Sequence, residues 1–314
     1  MKSSVAMTGG TAGLEKKRKK GSGLQRRNSL IAMTFIAPNF IGFFVLTLVP
    51  VLFSFALSVM EWDSANPMVF VGLENFRSLF SDKTFEVSFW NTLLFAAVTV
   101  PSTMVLSLAM AVILNQPIRG RVAFRSLFFF PYVASLVAIS AVWNMLFHPE
   151  MGPVNSILHN VFGIANPPRW SADIHWALPT VMMMNVWKTV GYFMVIYLAA
   201  LQGIPRELYE AALIDGASVW QRLRRITLPM LTPTTFFVMV MLFINAFKVF
   251  DQVYMVTQGG PGRSSMVLVY HIYNTAFIRF KFGYSSAMAV VLFVVVLAIT
   301  IVQFRVEKRF VDNF

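Results

Sequence analysis

Long uninterrupted apolar runs dominate this chain, and they leave it few ways to fold. A bilayer core about 30 Å thick takes roughly 20 apolar residues per helix. The run from about Leu30 to Val59 meets that length, as do Trp90–Leu114, Phe124–Phe147, Trp176–Leu201, Leu231–Val256 and Tyr284–Phe304. In hydrocarbon each backbone N–H and C=O must be satisfied within its own segment, so such runs form helices. The first is expected to kink or break near Pro38 and Pro50, where proline withholds an N–H from the ladder. Composition agrees: 57% of the 314 residues are hydrophobic and 13% charged, against about 45–50% and about 25% in soluble domains. The fold class expected is all-α, a polytopic membrane protein of six transmembrane helices.

A net charge of +12 could suggest nucleic-acid binding, but the basic residues are spread between the apolar runs and flank them. Topology explains them better, and no nucleic-acid partner is expected. Eighteen of the 26 Lys and Arg fall in the N-terminal tail, the loop around Arg119–Arg125, the Gln202–Pro229 loop and the C-terminus. Six fall in the alternate loops, and Lys188 and Lys248 lie within spans. The positive-inside rule then puts both termini in the cytoplasm. Residues 1–28, with Lys16-Lys17-Arg18-Lys19-Lys20, read as a basic cytoplasmic tail, and 29–314 as the membrane domain. The apolar run after the tail is too long for a signal-peptide core and is read as a retained helix.

Two weaker segments are read as helices on the outer surface. Met266–Phe280 is interrupted by His271, Asn274 and Arg279 and is short for a span. Val154, Ile157, Leu158, Val161 and Phe162 follow the spacing of a short amphipathic helix. The chain has no cysteine, which excludes disulfides and thiol chemistry, and its four histidines lack HxxxH or HExxH spacing, so no metal site is expected.

The most informative stretch is the loop 202–229. Pro205 suits a first helical turn, Glu207 and Glu210 favour its positive end, and Ala211 and Ala212 leave little side-chain bulk. Gly216 permits a turn with positive φ, Ser218 can cap a second helix, and Pro229 opens the next span. The residues describe a helix–turn–helix across the cytoplasmic face. It serves either as a docking surface or as a connecting loop packed on its own bundle.

Glu210-Ala-Ala-Leu-Ile-Asp-Gly216, followed by Ile226-Thr-Leu-Pro229, resembles the "EAA" signature of membrane subunits of binding-protein-dependent ABC importers. Phe70-Val-Gly-Leu-Glu-Asn-Phe76, Asn91-Thr92, Arg125-x5-Pro131 and Thr257-x-Gly-Gly-Pro261 resemble its carbohydrate-uptake branch of maltose-type, oligosaccharide and glycerol-phosphate permeases. The resemblance implies a type I importer permease fold in a bacterial or archaeal plasma membrane. It implies a coupling helix made by Glu210, Ala211, Ala212, Asp215, Gly216 and Ala217, docked in a cleft of an ATP-hydrolysing subunit. The partners implied are a second homologous permease, two ATP-binding subunits and an extracytoplasmic solute-binding protein. No GxxxxGK[ST] occurs in the chain, so ATP and Mg²⁺ belong to the partner subunits, and this chain is expected to carry no cofactor and to be no enzyme.

Polar residues inside spans seldom face lipid. Asn185, Lys188, Thr189 and Tyr192 recur at helical spacing and form one stripe. By resemblance, the positions of Asn185, Thr189 and Tyr192 line a sugar pocket, although a maltose-type relative has glycine where this chain has Thr189. Asn245, Lys248 and Asp251 make a second stripe, with Asn245 in the corresponding pocket region. Lys248 and Asp251 can also neutralise each other, and Lys188 can instead hold helix carbonyls. A glycerol-3-phosphate importer remains the alternative. An ion-driven secondary transporter would call for inverted repeats and an acidic relay, which the sequence lacks.

Overall fold

The computed structural model describes residues 22–311. Residues 1–21 and 312–314 lie outside them, so most of the expected basic tail does too. Residues 22–28, read as tail, are helical. The chain divides into two compact units between Phe53 and Ser54.

In the first unit, α1 (Ser22–Phe43) carries Pro38 in its interior. A five-residue π turn, Phe44–Leu48, leads into α2 (Val49–Leu57). The widened turn stands just before Pro50, whose ring would crowd the carbonyl four residues back in a regular helix. Ile31–Leu57 is long and apolar enough to cross a membrane.

In the second unit, β1 (Met60–Glu61) pairs antiparallel with β2 (Val69–Phe70). Then come α3 (Glu74–Ser81), α4 (Lys83–Leu114), α5 (Arg121–Val133), α6 (Leu136–Leu146) and α7 (Pro153–Asn160). Next are α8 (Ala177–Gln202), α9 (Arg206–Ile214), α10 (Val219–Arg222), α11 (Leu228–Met230), α12 (Thr232–Phe247) and α13 (Asp251–Val256). The chain closes with α14 (Leu268–Tyr273), a π turn (Asn274–Ile278) and α15 (Phe282–Val311). The core lies where α4 and α8 run together, with α5 and α12 against them. Phe95, Val181, Phe193, Met194, Tyr197 and Val238 are fully enclosed there. Along α4 the buried faces carry Ser88, Thr92, Thr99, Thr103 and Ser107. Thr92 and Thr99 return their hydroxyls to the carbonyls of Ser88 and Phe95 at 2.8 and 2.7 Å, so at these two positions a small polar residue lets helices approach without orphaning its donor.

Among the described residues four helices are long and apolar enough to span, and up to six if each of two bent pairs is one span. The bent pairs correct two expectations. Phe124–Phe147 is not one straight helix: α5 and α6 meet at 99°. The fifth run does not stay helical to Val256. It ends at Phe247, breaks over residues 248–250 and resumes as α13, and its start is bent by 66° against the helices before it.

Met266–Phe280 is likewise no surface helix. It is six α-helical residues plus a π turn, with Leu268, His271 and Thr275 each 1% exposed between α4 and α15. The short helix expected near Val154–Phe162 is present as α7, with Pro153 in its first turn and Ile157, Val161 and Phe162 exposed. Its anchor is polar. Asn155 donates to the carbonyls of Pro149 and Pro168 and accepts from the Trp170 indole at 2.6 Å.

Candidate functional site

The segment after α8 folds by local rules. α9 follows Pro205, which sits at its N-cap rather than inside the first turn. Its end is a Schellman closure: Ala217 N–H donates to Ala212 O at 2.8 Å and Gly216 N–H to Leu213 O at 3.1 Å. Gly216 has φ +74°, the left-handed conformation that glycine adopts without strain. Ser218 then opens α10 in a reciprocal capping box with Gln221. Tyr209 Oη and Thr227 Oγ1, 2.9 Å apart, tie α9 to the returning chain.

One face of this segment is packed, and the other is bare. Glu210, Ala211, Asp215 and Gly216 are exposed, while Ala212 and Ala217 are half-buried under the turn. Around them Ile214 is 88% exposed, Val219 75%, Trp220 66% and Leu213 54%. A connecting loop packed on its own bundle would hide such side chains. Four apolar groups flanking a rigid turn make a surface fit for a partner.

The stripe on α8 is real as a register but divides in its contacts. Lys188 Nζ donates to the carbonyl of Tyr132 at 3.1 Å and lies 5.3 Å from the centre of its ring. Tyr132 is the next-to-last residue of α5, so the ammonium caps the negative end of that helix at its 99° corner. Tyr192 stacks on Tyr132 with centroids 4.3 Å apart. One turn along, α8 and α5 touch backbone to backbone, and a Cβ at Gly191 would collide with the Phe128 carbonyl. Thr189 returns its hydroxyl to Asn185 O at 2.7 Å.

Asn185 Oδ1 accepts from Gln252 Nε2 at 3.1 Å, a partner the sequence reading missed. Gln252 lies seven residues beyond Asn245, on the register of the second stripe, so a helical count carried one residue past Asp251 reaches it. Asn245, Lys248 and Asp251 are exposed. Lys248 and Asp251 make no ion pair within 4 Å; among the described residues such contacts are Lys83–Glu86 and His271–Asp82. The structure thus joins Asn185, Lys188, Thr189 and Tyr192 to one wall, while Asn245 stands exposed on α12.

The shorter motifs acquire physical roles. Asn91 Nδ2 donates to the carbonyls of Arg263, Ser264 and Met266 at 2.9–3.2 Å, and Thr92 Oγ1 accepts the Leu268 N–H. Ser265 Oγ bonds Thr257 Oγ1 and Gly260 O within the Thr257–Pro261 loop. Arg125 Nη2 donates to Leu114 O at the end of α4, and Asn75 Nδ2 to the carbonyls of Ser58 and Met60.

A second cluster went unread in the sequence. Asp82 caps α4 through the Thr84 N–H and accepts from Tyr284 Oη at 2.9 Å. Burial pushes its carboxyl upward, but those hydrogen bonds outweigh burial and hold it below the ordinary carboxylate value. Burial pushes the neighbouring His271 down, against the attraction of Asp82. No group of three or more His, Asp and Glu is placed to hold a metal ion among the described residues.

The comparisons extend over this whole framework. The lactose transport system permease protein LacF of Rhizobium radiobacter is 36% identical over 92% of this chain and 97% of its own length. The trehalose/maltose transport system permease protein MalF of Thermococcus litoralis is 33% identical over 91% and 97%. A chain of a bacterial ABC transporter for import of the acidic polysaccharide alginate superposes with a TM-score of 0.79 over 93% of this chain and 99% of its own, at 24% identity, which speaks for the fold. The family model described as binding-protein-dependent transport system inner membrane component matches residues 89–312, and the chain belongs to that family.

Proposed function

We propose that this chain is the membrane-spanning permease subunit of an ATP-driven ABC importer, translocating a sugar or oligosaccharide delivered by an external binding protein. The observation that carries the reading is the exposed segment around Gly216. Its two helices are locked to each other, and its apolar groups face outward with no described residue covering them. Glu210, Ala211, Ala212, Asp215, Gly216 and Ala217 form the joint with an ATP-binding subunit. Closure of that partner on ATP would push the segment as a unit and tilt the bundle.

The assembly comprises a second homologous permease, two ATP-binding subunits that hold ATP and Mg²⁺, and the binding protein. Six spans place both termini in the cytoplasm of a bacterial or archaeal cell. Asn185, Thr189, Tyr192 and Asn245 contact the sugar, with Gln252 orienting the Asn185 amide. Lys188 is engaged with Tyr132, which favours a neutral sugar over glycerol 3-phosphate. Uptake of radiolabelled lactose, maltose, trehalose and glycerol 3-phosphate into proteoliposomes holding the complete complex tests this. ATP-dependent, binding-protein-dependent uptake of a sugar supports it. Uptake of glycerol 3-phosphate alone overturns the substrate class, and uptake without ATP overturns the mechanism.

A further inference from the structure

At the ends of α4 and α15 where their apolar spans begin, a cavity of 790 Å³ opens between the β1–β2 hairpin, α3 and the π turn after α14. It is large enough for a bound small molecule or a lipid headgroup. Its charges are sorted. Glu61 and Asp63 line it from the hairpin, Glu74 from α3 and Asp82 from the start of α4, whereas Arg279 and Lys281 come from the chain entering α15. Among the described residues, none of Glu61, Glu74, Arg279 or Lys281 is in an ion pair within 4 Å. Thr275, one of its lining residues, is 1% exposed, and its hydroxyl has no hydrogen-bond partner among the described residues. A buried orphan hydroxyl is costly unless something completes it.

The surroundings narrow the ligand further. Phe277, Ile278 and Phe280 alternate with the two cationic residues and are 60%, 63% and 54% exposed. Aromatic and aliphatic groups beside Arg and Lys at the end of a span mark the membrane–water interface. A ligand here has apolar chains to lay on that patch, an anionic group for Arg279 and Lys281, and a cationic group for the carboxylates. Carboxylates outnumber the cations, which disfavours a headgroup of net negative charge.

We propose that this cavity is a binding site for a zwitterionic phospholipid with a primary ammonium, a phosphatidylethanolamine. Its phosphate sits on Arg279 and Lys281, and its ammonium donates to Glu74, Asp82 and the Thr275 hydroxyl. The choline headgroup fits worse, because a trimethylated nitrogen has no N–H for these acceptors. Phosphatidylglycerol fits worse because it brings no cation to the acidic wall.

The test titrates phosphatidylethanolamine, phosphatidylcholine and phosphatidylglycerol into the full chain, purified with its co-purifying subunits in detergent, and counts bound lipid by native mass spectrometry. Phosphatidylethanolamine should bind more tightly than the other two. Arg279→Gln with Lys281→Gln should weaken it about tenfold, the loss expected for charge-assisted contacts. Glu74→Gln, at an exposed position that folding tolerates, should weaken phosphatidylethanolamine and leave phosphatidylglycerol unchanged or tighter. Thr275→Val should narrow the gap between ethanolamine and choline lipids. Equal binding of all three lipids, or variants that bind like wild type while assembling normally, overturns the proposal. So does displacement of the lipid by maltose or lactose with the same dependence on Glu74 and Arg279, which would make the cavity a sugar site. None of these readouts requires transport, so the lipid site and the importer reading stand or fall separately.

Discussion

Gly216 offers the sharpest test of the coupling assignment, because its surroundings reduce the problem to backbone strain. A Cβ built there meets no atom within 4 Å, so substitution brings no clash. What it brings is an L-residue at φ +74°, costing about 1 kcal/mol for Ala and nearer 2 kcal/mol for β-branched Val. Against that stand the two closing hydrogen bonds, roughly 1 kcal/mol each, and the Ser218 cap, roughly another 1 kcal/mol. Gly216→Val therefore leaves the turn formed by a margin of about 1 kcal/mol, a factor of about five. Gly216→Asn should be nearly silent, since Asn tolerates the left-handed region, and Gly216→Ala should fall between. The assay is proteoliposome uptake beside ATPase activity, with assembly checked by pull-down. Uptake per ATP hydrolysed should fall in the order Gly, Asn, Ala, Val. Glu210→Lys should lower it through charge at the same joint. Wild-type coupling in assembled Gly216→Val and Glu210→Lys complexes would refute the reasoning and return the segment to a mere connector.

Two further outcomes follow from the same geometry. Lys188→Met uncaps the Tyr132 carbonyl and should lower the melting temperature of the assembled complex by about 2 °C, for a loss of about 1 kcal/mol, with Lys188→Arg restoring it; a raised uptake KM with unchanged melting would instead make Lys188 a sugar ligand. Because the chain has no native cysteine, Ala65→Cys and Asp215→Cys can be labelled singly in intact cells. An impermeant thiol reagent should reach the first and not the second; the reverse pattern would overturn the cytoplasmic placement of the Gly216 segment, and labelling of both would overturn the six-span topology.

The apolar runs were legible because hydrophobic length is a property of the segment alone. The corner between α5 and α6 was not. The residues from Phe124 to Phe147 are mostly apolar on both sides of the corner, and hydropathy carries no direction. That corner is held from outside, by Lys188 on the Tyr132 carbonyl and by Gly191 against Phe128. Gly216 and Ser218 were readable in detail because a helix stop and a cap are built from neighbours in sequence. Gln252 shares the register of Asn245, but its pairing with Asn185 across 67 residues is a tertiary contact that periodicity does not carry. Asn91 and Thr92 stood out by resemblance. Their work became plain only when a loop more than 170 residues away closed over them.

The contact at Gly191 has a mechanical consequence. Packed side chains can slip past one another by changing rotamers, but two backbones in direct apposition have no such freedom. α5 and α8 are pinned at that point, and the stacked Tyr132 and Tyr192 rings brace the same joint one turn further along α5. A protein that alternates between two shapes must therefore carry this pair as one stiff member. The bending has to fall on its neighbours, at the non-helical residues 134–135 and 248–250, where no continuous hydrogen-bond ladder resists it.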